Sequence, residues 1–310
     1  MVLSFRNSVV QYPHPYNKIG DGPEGPECRI VRDWLHKFCK GKQLISFENL
    51  NMSIDIDFLN KNLPLNILSI TSKGKHIIWT LTTNKNNKEN VKKTVIYFHN
   101  HLGMTGRWTS VKSKHSRIQL KFSDDTTLYF DDVRKYGKFN ICSNDSELSN
   151  RLKNVGIDLM DLTISYFSGN VSKLKNVQII WYQHFEKMKK RKRSASRKIY
   201  PVLLEQKHFA GIGNYLVAEI LYSCKISPFR LISQLSESEI ISLFNSTVEI
   251  LYKSYSSGGL TINDFWDPEG RIGKFKKVVY NSTHDPLGNK VQKDKFSNGR
   301  TCHWVPNIQK

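Results

Sequence analysis

Residues 22–27 read Gly22-Pro23-Glu24-Gly25-Pro26-Glu27. Within a chain, the proline nitrogen is a tertiary amide and offers no nucleophilic lone pair. At a free N-terminus, the same Pro23 becomes a secondary amine beside the carboxyl of Glu24. An α-amine with a pKa of about 8 keeps a useful neutral fraction at physiological pH. Such a pair can attack a sugar C1′, form an iminium and expel a base, with the carboxyl moving the protons. In this sequence 22 residues precede Pro23, and none between Met1 and Pro23 is a second Met.

Two glycine-containing turns read in two ways. Gly211-Ile212-Gly213-Asn214 is either an ordinary tight corner or a hairpin whose N–H groups and Asn214 grip a phosphate. His101-Leu102-Gly103-Met104-Thr105-Gly106 is either a plain turn or a loop that enters a DNA groove and pushes Met104 into the base stack.

Elements must position these residues. Ile30, Val31, Trp34, Leu35 and Phe38 recur at helical spacing, which predicts a helix over Glu27–Lys40 with Gly41 as its stop. Short β-rich runs follow at Ile67–Ile70, Ile77–Leu81, Val95–Phe98, Ile118–Phe122 and Leu128–Phe130, with a polar loop at Lys85–Lys93. Strands in series predict an antiparallel sandwich rather than βαβ units. Lys187–Lys198 carries eight basic residues in twelve. It reads as a solvated interdomain linker, with a nuclear-import signal or a phosphate-contacting arm as the alternative. Helices are expected over Ile199–Glu205, Tyr215–Cys224 and Ser236–Ser254, the last opened by Ser236 and Glu239 at capping-box spacing. The tail reads as a β-hairpin running from Val278-Val279-Tyr280, through a turn near Pro286–Asn289, to Arg300–Trp304.

Composition narrows the partners. Lys and Arg number 47 against 27 Asp and Glu, a net charge of +20, which favours a polyanion such as nucleic acid. No apolar run approaches the roughly 20 residues of a membrane span, and residues 1–22 lack the apolar core of a secretory signal. Five scattered cysteines without a CxxC suggest neither a disulfide framework nor a zinc ribbon. An intracellular protein is expected, nuclear or cytoplasmic and not secreted.

The order of the motifs along the chain carries more than any one of them. Pro23–Glu27, Lys73-Gly74-Lys75, the Met104 loop, Asp132–Gly137, Ala210–Tyr215 and Gly299-Arg300-Thr301 together resemble the formamidopyrimidine-DNA glycosylase and endonuclease VIII family, from Pro23 to Gln309. The finer resemblance is to viral or eukaryotic endonuclease VIII-like members. It implies an α+β protein: an N-terminal helix with a two-sheet antiparallel β-sandwich, then a helical domain with a helix–two-turn–helix and a β-hairpin finger. The boundaries expected are an extension over 1–22, irregular or removed, a catalytic sandwich over 23–165, and a linker with the basic run over 166–198. The helix–two-turn–helix domain would follow over 199–275 and the hairpin over 276–310.

It also implies a bifunctional DNA glycosylase/AP lyase that flips oxidised bases out of DNA and nicks the strand by β- or β,δ-elimination. Damaged DNA would be the partner of a monomer. By this resemblance Pro23 matches the nucleophile, Glu24 the acid, Glu27 a second glutamate near the lesion pocket and Lys75 the lysine on the lesion phosphate. Met104 matches the void-filling wedge, Arg134 and Tyr136 the residues addressing the orphaned base, and Asn214 and Arg300 the phosphate clamps.

Three departures stand out. Gly22 occupies the place of the family's initiator Met, so Pro23 needs a different start or processing after Gly22. Arg134-Lys135-Tyr136 replaces a frequent Arg-Arg-Phe, which keeps charge and a stacking face but loses one bidentate fork. The finger lacks its two CxxC pairs. Adjacent Cys302 and His303, with His284, have poor spacing for tetrahedral zinc, so a zincless finger packed by Trp304 and Val305 is expected, with no metal and no cofactor. The rival reading is a non-catalytic DNA-binding protein on the same fold, its Pro23 blocked by residues 1–22.

Overall fold

The computed structural model describes residues 22–83, 94–169, 171–261 and 267–310. The expected polar loop at Lys85–Lys93 and the expected extension up to residue 21 lie outside them.

Helix α1 spans Gly25–Cys39, two residues earlier than its apolar spacing suggests. Pro26 suits the first turn, where its missing N–H costs nothing, and the Glu27 carboxylate takes back the N–H of the N-cap residue Glu24 at 3.0 Å. Cys28, Val31, Leu35 and Cys39 form its buried stripe. Gly41, just past its end, has φ +76°, the left-handed conformation in which helices commonly stop.

Eight strands follow: β1 Gln43–Asn49, β2 Leu65–Lys73, β3 His76–Thr83, β4 Val95–His101, β5 Arg107–Thr109, β6 Ser116–Phe122, β7 Thr127–Asp131 and β8 Lys138–Cys142. They form one antiparallel ladder in the order β5-β7-β6-β1-β2-β3-β4-β8. Register shifts in β1, β2 and β6 bend the ladder. It curls until its two ends face each other as the two layers of a sandwich. Trp108 of β5 meets Trp79 of β3 at 5.5 Å between ring centroids, and Phe130 of β7 meets Phe139 of β8 at 4.6 Å.

The second lobe packs helices Met160–Phe167, Val171–Lys189, Ile199–Leu204, Asn214–Ser223 and Glu237–Ser256 around one core. Ser236 and Glu239 form the expected capping box, with Glu239 N–H on Ser236 Oγ at 3.1 Å and Ser236 N–H on Glu239 at 2.8 Å. Two expectations are corrected here. The stretch expected as a linker contains a core helix: Trp181, Phe185 and Met188 of the helix Val171–Lys189 are buried in the lobe's core, while Lys190–Arg193 of the basic run are exposed. The basic side chains had masked an apolar face at 181, 185 and 188. The tail's hairpin is shorter and later than expected, pairing Gln292–Lys295 with Thr301–Trp304. Val278-Val279-Tyr280 is not a strand. Its three N–H groups are taken by the buried Glu219 carboxylate at 2.8–3.0 Å. The Pro286–Asn289 turn exists, wound on Asp285, but it precedes the hairpin.

Candidate active site and nucleic-acid interface

A cleft of about 1020 Å³ opens between the two lobes. Pro23, Glu24, Lys75, Met104, Tyr136, Asn214 and Arg300 all line it. Of the nine residues expected at the site, only Glu27 and Arg134 do not.

Glu24 is buried, and its carboxylate crosses between lobes to the start of the helix Asn214–Ser223. There it accepts the N–H groups of Gly213 at 2.7 Å, Tyr215 at 3.1 Å and Leu216 at 3.3 Å. These are donors that a helix leaves unsatisfied in its first turn, and the helix dipole adds to their pull on a negative charge. A Cβ at Gly213 would lie 2.3 Å from the Glu24 carboxyl carbon and 2.5 Å from Lys75 Nζ, so glycine is what admits both groups. Lys75 sits in the β2–β3 turn. Gly74 beside it has φ +56°, donates its N–H to Asp158 at 2.6 Å and presses on Ala210 and Gly211 too closely for any side chain. Burial raises the pKa of Asp158 above the ordinary carboxyl value.

Glu27 is fully buried behind Glu24. It accepts the Tyr215 hydroxyl at 2.9 Å and Leu260 N–H at 2.9 Å, besides the Glu24 N–H. It does not face the cleft. Its carboxylate instead links the backbone of Glu24 to Tyr215 and Leu260 of the second lobe. Burial, with the nearby Glu27 and Glu24 carboxylates, holds the Tyr215 phenol protonated well above its usual range, so it remains a donor.

The opposite wall joins two loops. Buried Asp132 accepts Thr105 Oγ1 at 2.5 Å and Gly137 N–H at 2.7 Å, and Arg134 N–H reaches Thr105 Oγ1 at 3.1 Å. Gly103, at φ +71°, lies flat on the Tyr136–Gly137 peptide. The Met104 and Arg134–Tyr136 loops are thereby one unit. Tyr136 is 52% exposed, and Arg134 stacks on its ring at 4.8 Å. His101 also lines the cleft. Burial, then the neighbouring His76 imidazole and Lys75 cation, push its pKa down to about 3, so it is neutral at pH 7. His76 and His99 adjoin it, in mutual contact at 2.8 Å, each pushed down to about 4 chiefly by burial.

On the second lobe, Asn214 donates from Nδ2 to the Thr301 carbonyl at 3.2 Å, which ties it to the hairpin. Arg300 stands at the hairpin turn. Phe296 stacks on Tyr200 at 4.6 Å and on Phe229 at 5.1 Å, Trp304 Nε1 bonds Asp294 at 2.7 Å, and Val305 is fully buried. Among the described residues, no group of three or more His, Cys, Asp or Glu side chains is arranged to hold a metal ion.

Sequence reasoning passed over Tyr200 and Lys295, and gave Asp132 of the Asp132–Gly137 motif no role of its own. It flagged the basic run without seeing that its end, Ser196-Arg197-Lys198, lines the cleft. Lys198 stands over the Phe229 ring at 5.0 Å.

An inter-lobe cleft with a basic rim, a proline–glutamate pair and an apolar Met104 at its wall suits a protein that works on a nucleic-acid strand. Comparison with known proteins gives the same answer. Family models for the formamidopyrimidine-DNA glycosylase N-terminal domain, H2TH domain and C-terminal domain match residues 22–139, 181–265 and 271–310. The formamidopyrimidine-DNA glycosylase of Lactococcus lactis is 32% identical over 302 residues, covering 93% of this chain and 99% of the relative. That of Listeria monocytogenes is 29% identical over 306 residues, covering 93% and 100%. The structure of Lactococcus lactis Fpg in complex with abasic-site DNA superposes with a TM-score of 0.73 at 29% identity, covering 93% of this chain and 99% of that one. The chain belongs to the formamidopyrimidine-DNA glycosylase family.

Proposed function

We infer that this chain is a bifunctional DNA glycosylase and AP lyase that removes oxidised bases from damaged DNA, acting as a monomer. The observation that carries the residue roles is the convergence of Pro23, Glu24 and Lys75 at one end of the cleft, with Glu24 seated on the N-terminus of the helix Asn214–Ser223.

The chemistry follows from these groups. A neutral Pro23 amine forms a bond to C1′ as the C1′–base bond breaks, and the base leaves with its electron pair and takes a proton. The nitrogen, having shed its own proton, pushes its lone pair to C1′ while the C1′–O4′ bond opens. Glu24 delivers the proton that O4′ needs. Loss of a C2′ proton from the resulting iminium expels the 3′ phosphate, and water then releases the proline. Lys75 holds the lesion phosphate, Met104 fills the space vacated by the flipped nucleotide, and Arg134 and Tyr136 face the orphaned base. Asn214 and Arg300 grip the backbone on the other wall. The sandwich lobe supplies the amine and the wedge, and the helical lobe with its hairpin supplies the clamps. The exposed Arg191-Lys192-Arg193 of the basic run is also the form of a nuclear-import signal.

In the sequence as written, Gly22 acylates the Pro23 nitrogen, and an amide cannot form the imine. The test is borohydride trapping on abasic-site DNA with two proteins, the full chain and one beginning at Pro23. The Pro23-start protein is expected to give a covalent adduct and a nicked strand, and a mass-verified intact full chain neither. Equal trapping by the intact full chain would overturn the role of Pro23. Tight binding with no adduct from either protein would identify a DNA-binding module that has lost catalysis.

A further inference from the structure

Tyr200 has no part in the chemistry just described, yet it sits at the joint between the two groups that grip the backbone. It is 1% exposed. Its hydroxyl donates to Asn214 Oδ1 and lies 3.0 Å from the Thr301 carbonyl. That carbonyl also accepts Asn214 Nδ2 at 3.2 Å. Its ring stacks on Phe296, at the opposite end of the hairpin turn from Arg300. One phenol thus touches the helix that carries Asn214, the strand that follows Arg300, and the residue that opens the turn.

An amide side chain has one acceptor and two donor hydrogens. Here the acceptor takes the Tyr200 hydroxyl, and one N–H goes to Thr301. A half-turn of the amide would set Oδ1 against the Thr301 carbonyl, and the Tyr200 hydroxyl, donating to Oδ1, satisfies the acceptor in the orientation that carbonyl requires. The second N–H is left at the cleft, on a side chain only 9% exposed. Without the phenol hydroxyl, Oδ1 loses its buried donor, and the amide can swing about its bond to the Thr301 carbonyl, away from the phosphate.

We propose that Tyr200 is a positioning residue for DNA binding: it fixes the Asn214 amide with its N–H toward the phosphate and locks it to the hairpin that carries Arg300. The inference rests on the reading of Asn214 as a backbone clamp. It deepens that reading by making the two clamps one rigid unit.

The test is a double-mutant cycle on binding to duplex DNA with a stable abasic analogue, using Tyr200→Phe, Asn214→Ala and the double variant. Phenylalanine keeps the stack on Phe296 and removes only the hydroxyl. Tyr200→Phe is expected to weaken binding by about 3- to 10-fold, the range for one buried hydrogen bond. In the Asn214→Ala background the same change should cost nothing further. Multiplying effects, or an unchanged affinity in Tyr200→Phe while Asn214→Ala is impaired, would overturn the positioning role and leave the clamp standing. An unimpaired Asn214→Ala would remove the clamp and this proposal together. A measurement on the unaltered full chain guards against a variant that folds poorly. Nuclear magnetic resonance of the Asn214 side-chain amide should show one slowly exchanging hydrogen and one that shifts when DNA binds. Two hydrogens exchanging at the solvent rate would refute the proposal without any substitution.

Discussion

The Glu24 carboxylate lines the cleft from the first lobe and accepts three backbone N–H groups of the second. Glutamine at this position keeps the size and one acceptor oxygen but cannot pass a proton. In the Pro23-start protein, Glu24→Gln is expected to slow base excision by about 10²–10⁴-fold and to leave affinity for abasic-site DNA within a few-fold. Single-turnover excision beside a binding titration separates the two, and unchanged excision would remove Glu24 as the acid. The Pro23-Glu24 pair was legible in the sequence because the chemistry needs those residue types side by side. The true place of Glu27 was not. Spacing shows that it can reach back to the N-cap, but its partners Tyr215 and Leu260 lie far along the chain, where no local pattern records them.

At the scale of elements, the Met104 loop and the Arg134–Tyr136 loop share Asp132 as their anchor. A wedge matters only where a base stack must be opened. Met104→Ala is therefore expected to slow excision from duplex DNA by roughly 10-fold, since unstacking costs a few kcal/mol, with a much smaller effect on single strands. Equal losses on both substrates would argue against intercalation. The longer strands were legible from their β-branched and aromatic runs, and the helix Glu237–Ser256 from its capping box. The missed strands have physical reasons. β5 is three residues long, and a register shift between Leu44 and Ser46 breaks the alternation of β1. The tail misled for another cause. Val278-Val279-Tyr280 looks β-prone, but its N–H groups bind the Glu219 carboxylate instead of a strand, a tertiary override of local propensity.

For the whole molecule, acid should loosen both lobes: in the second, His208 and His303 are pushed down to about 4, chiefly by burial. His76, His99 and His101 are held neutral in the fold, pushed down to about 4, 4 and 3, chiefly by burial, from an ordinary 6.5. Below pH 6.5 the unfolded chain binds protons that the native state refuses, so stability is complete above that pH and falls as pH drops toward 4. Each histidine removes up to about 2 kcal/mol by pH 5. The melting temperature should decline steadily from pH 7 to pH 5, and His99→Gln should make the decline shallower. A melting temperature flat over that window would contradict the burial of neutral imidazoles.

The seat of Glu24 also determines how the molecule fails when heated. Three N–H donors to its carboxylate belong to the opposite lobe, and Gly25 N–H meets the Gly211 carbonyl beside them at 2.8 Å. Any gap between the lobes strips the acid of its surroundings before either core has melted. Heat inactivation should therefore run ahead of unfolding, and recovery on cooling should be quick, since only a joint has to close again. A loosened molecule would be a harmless one, able to drift along DNA but not to cut it.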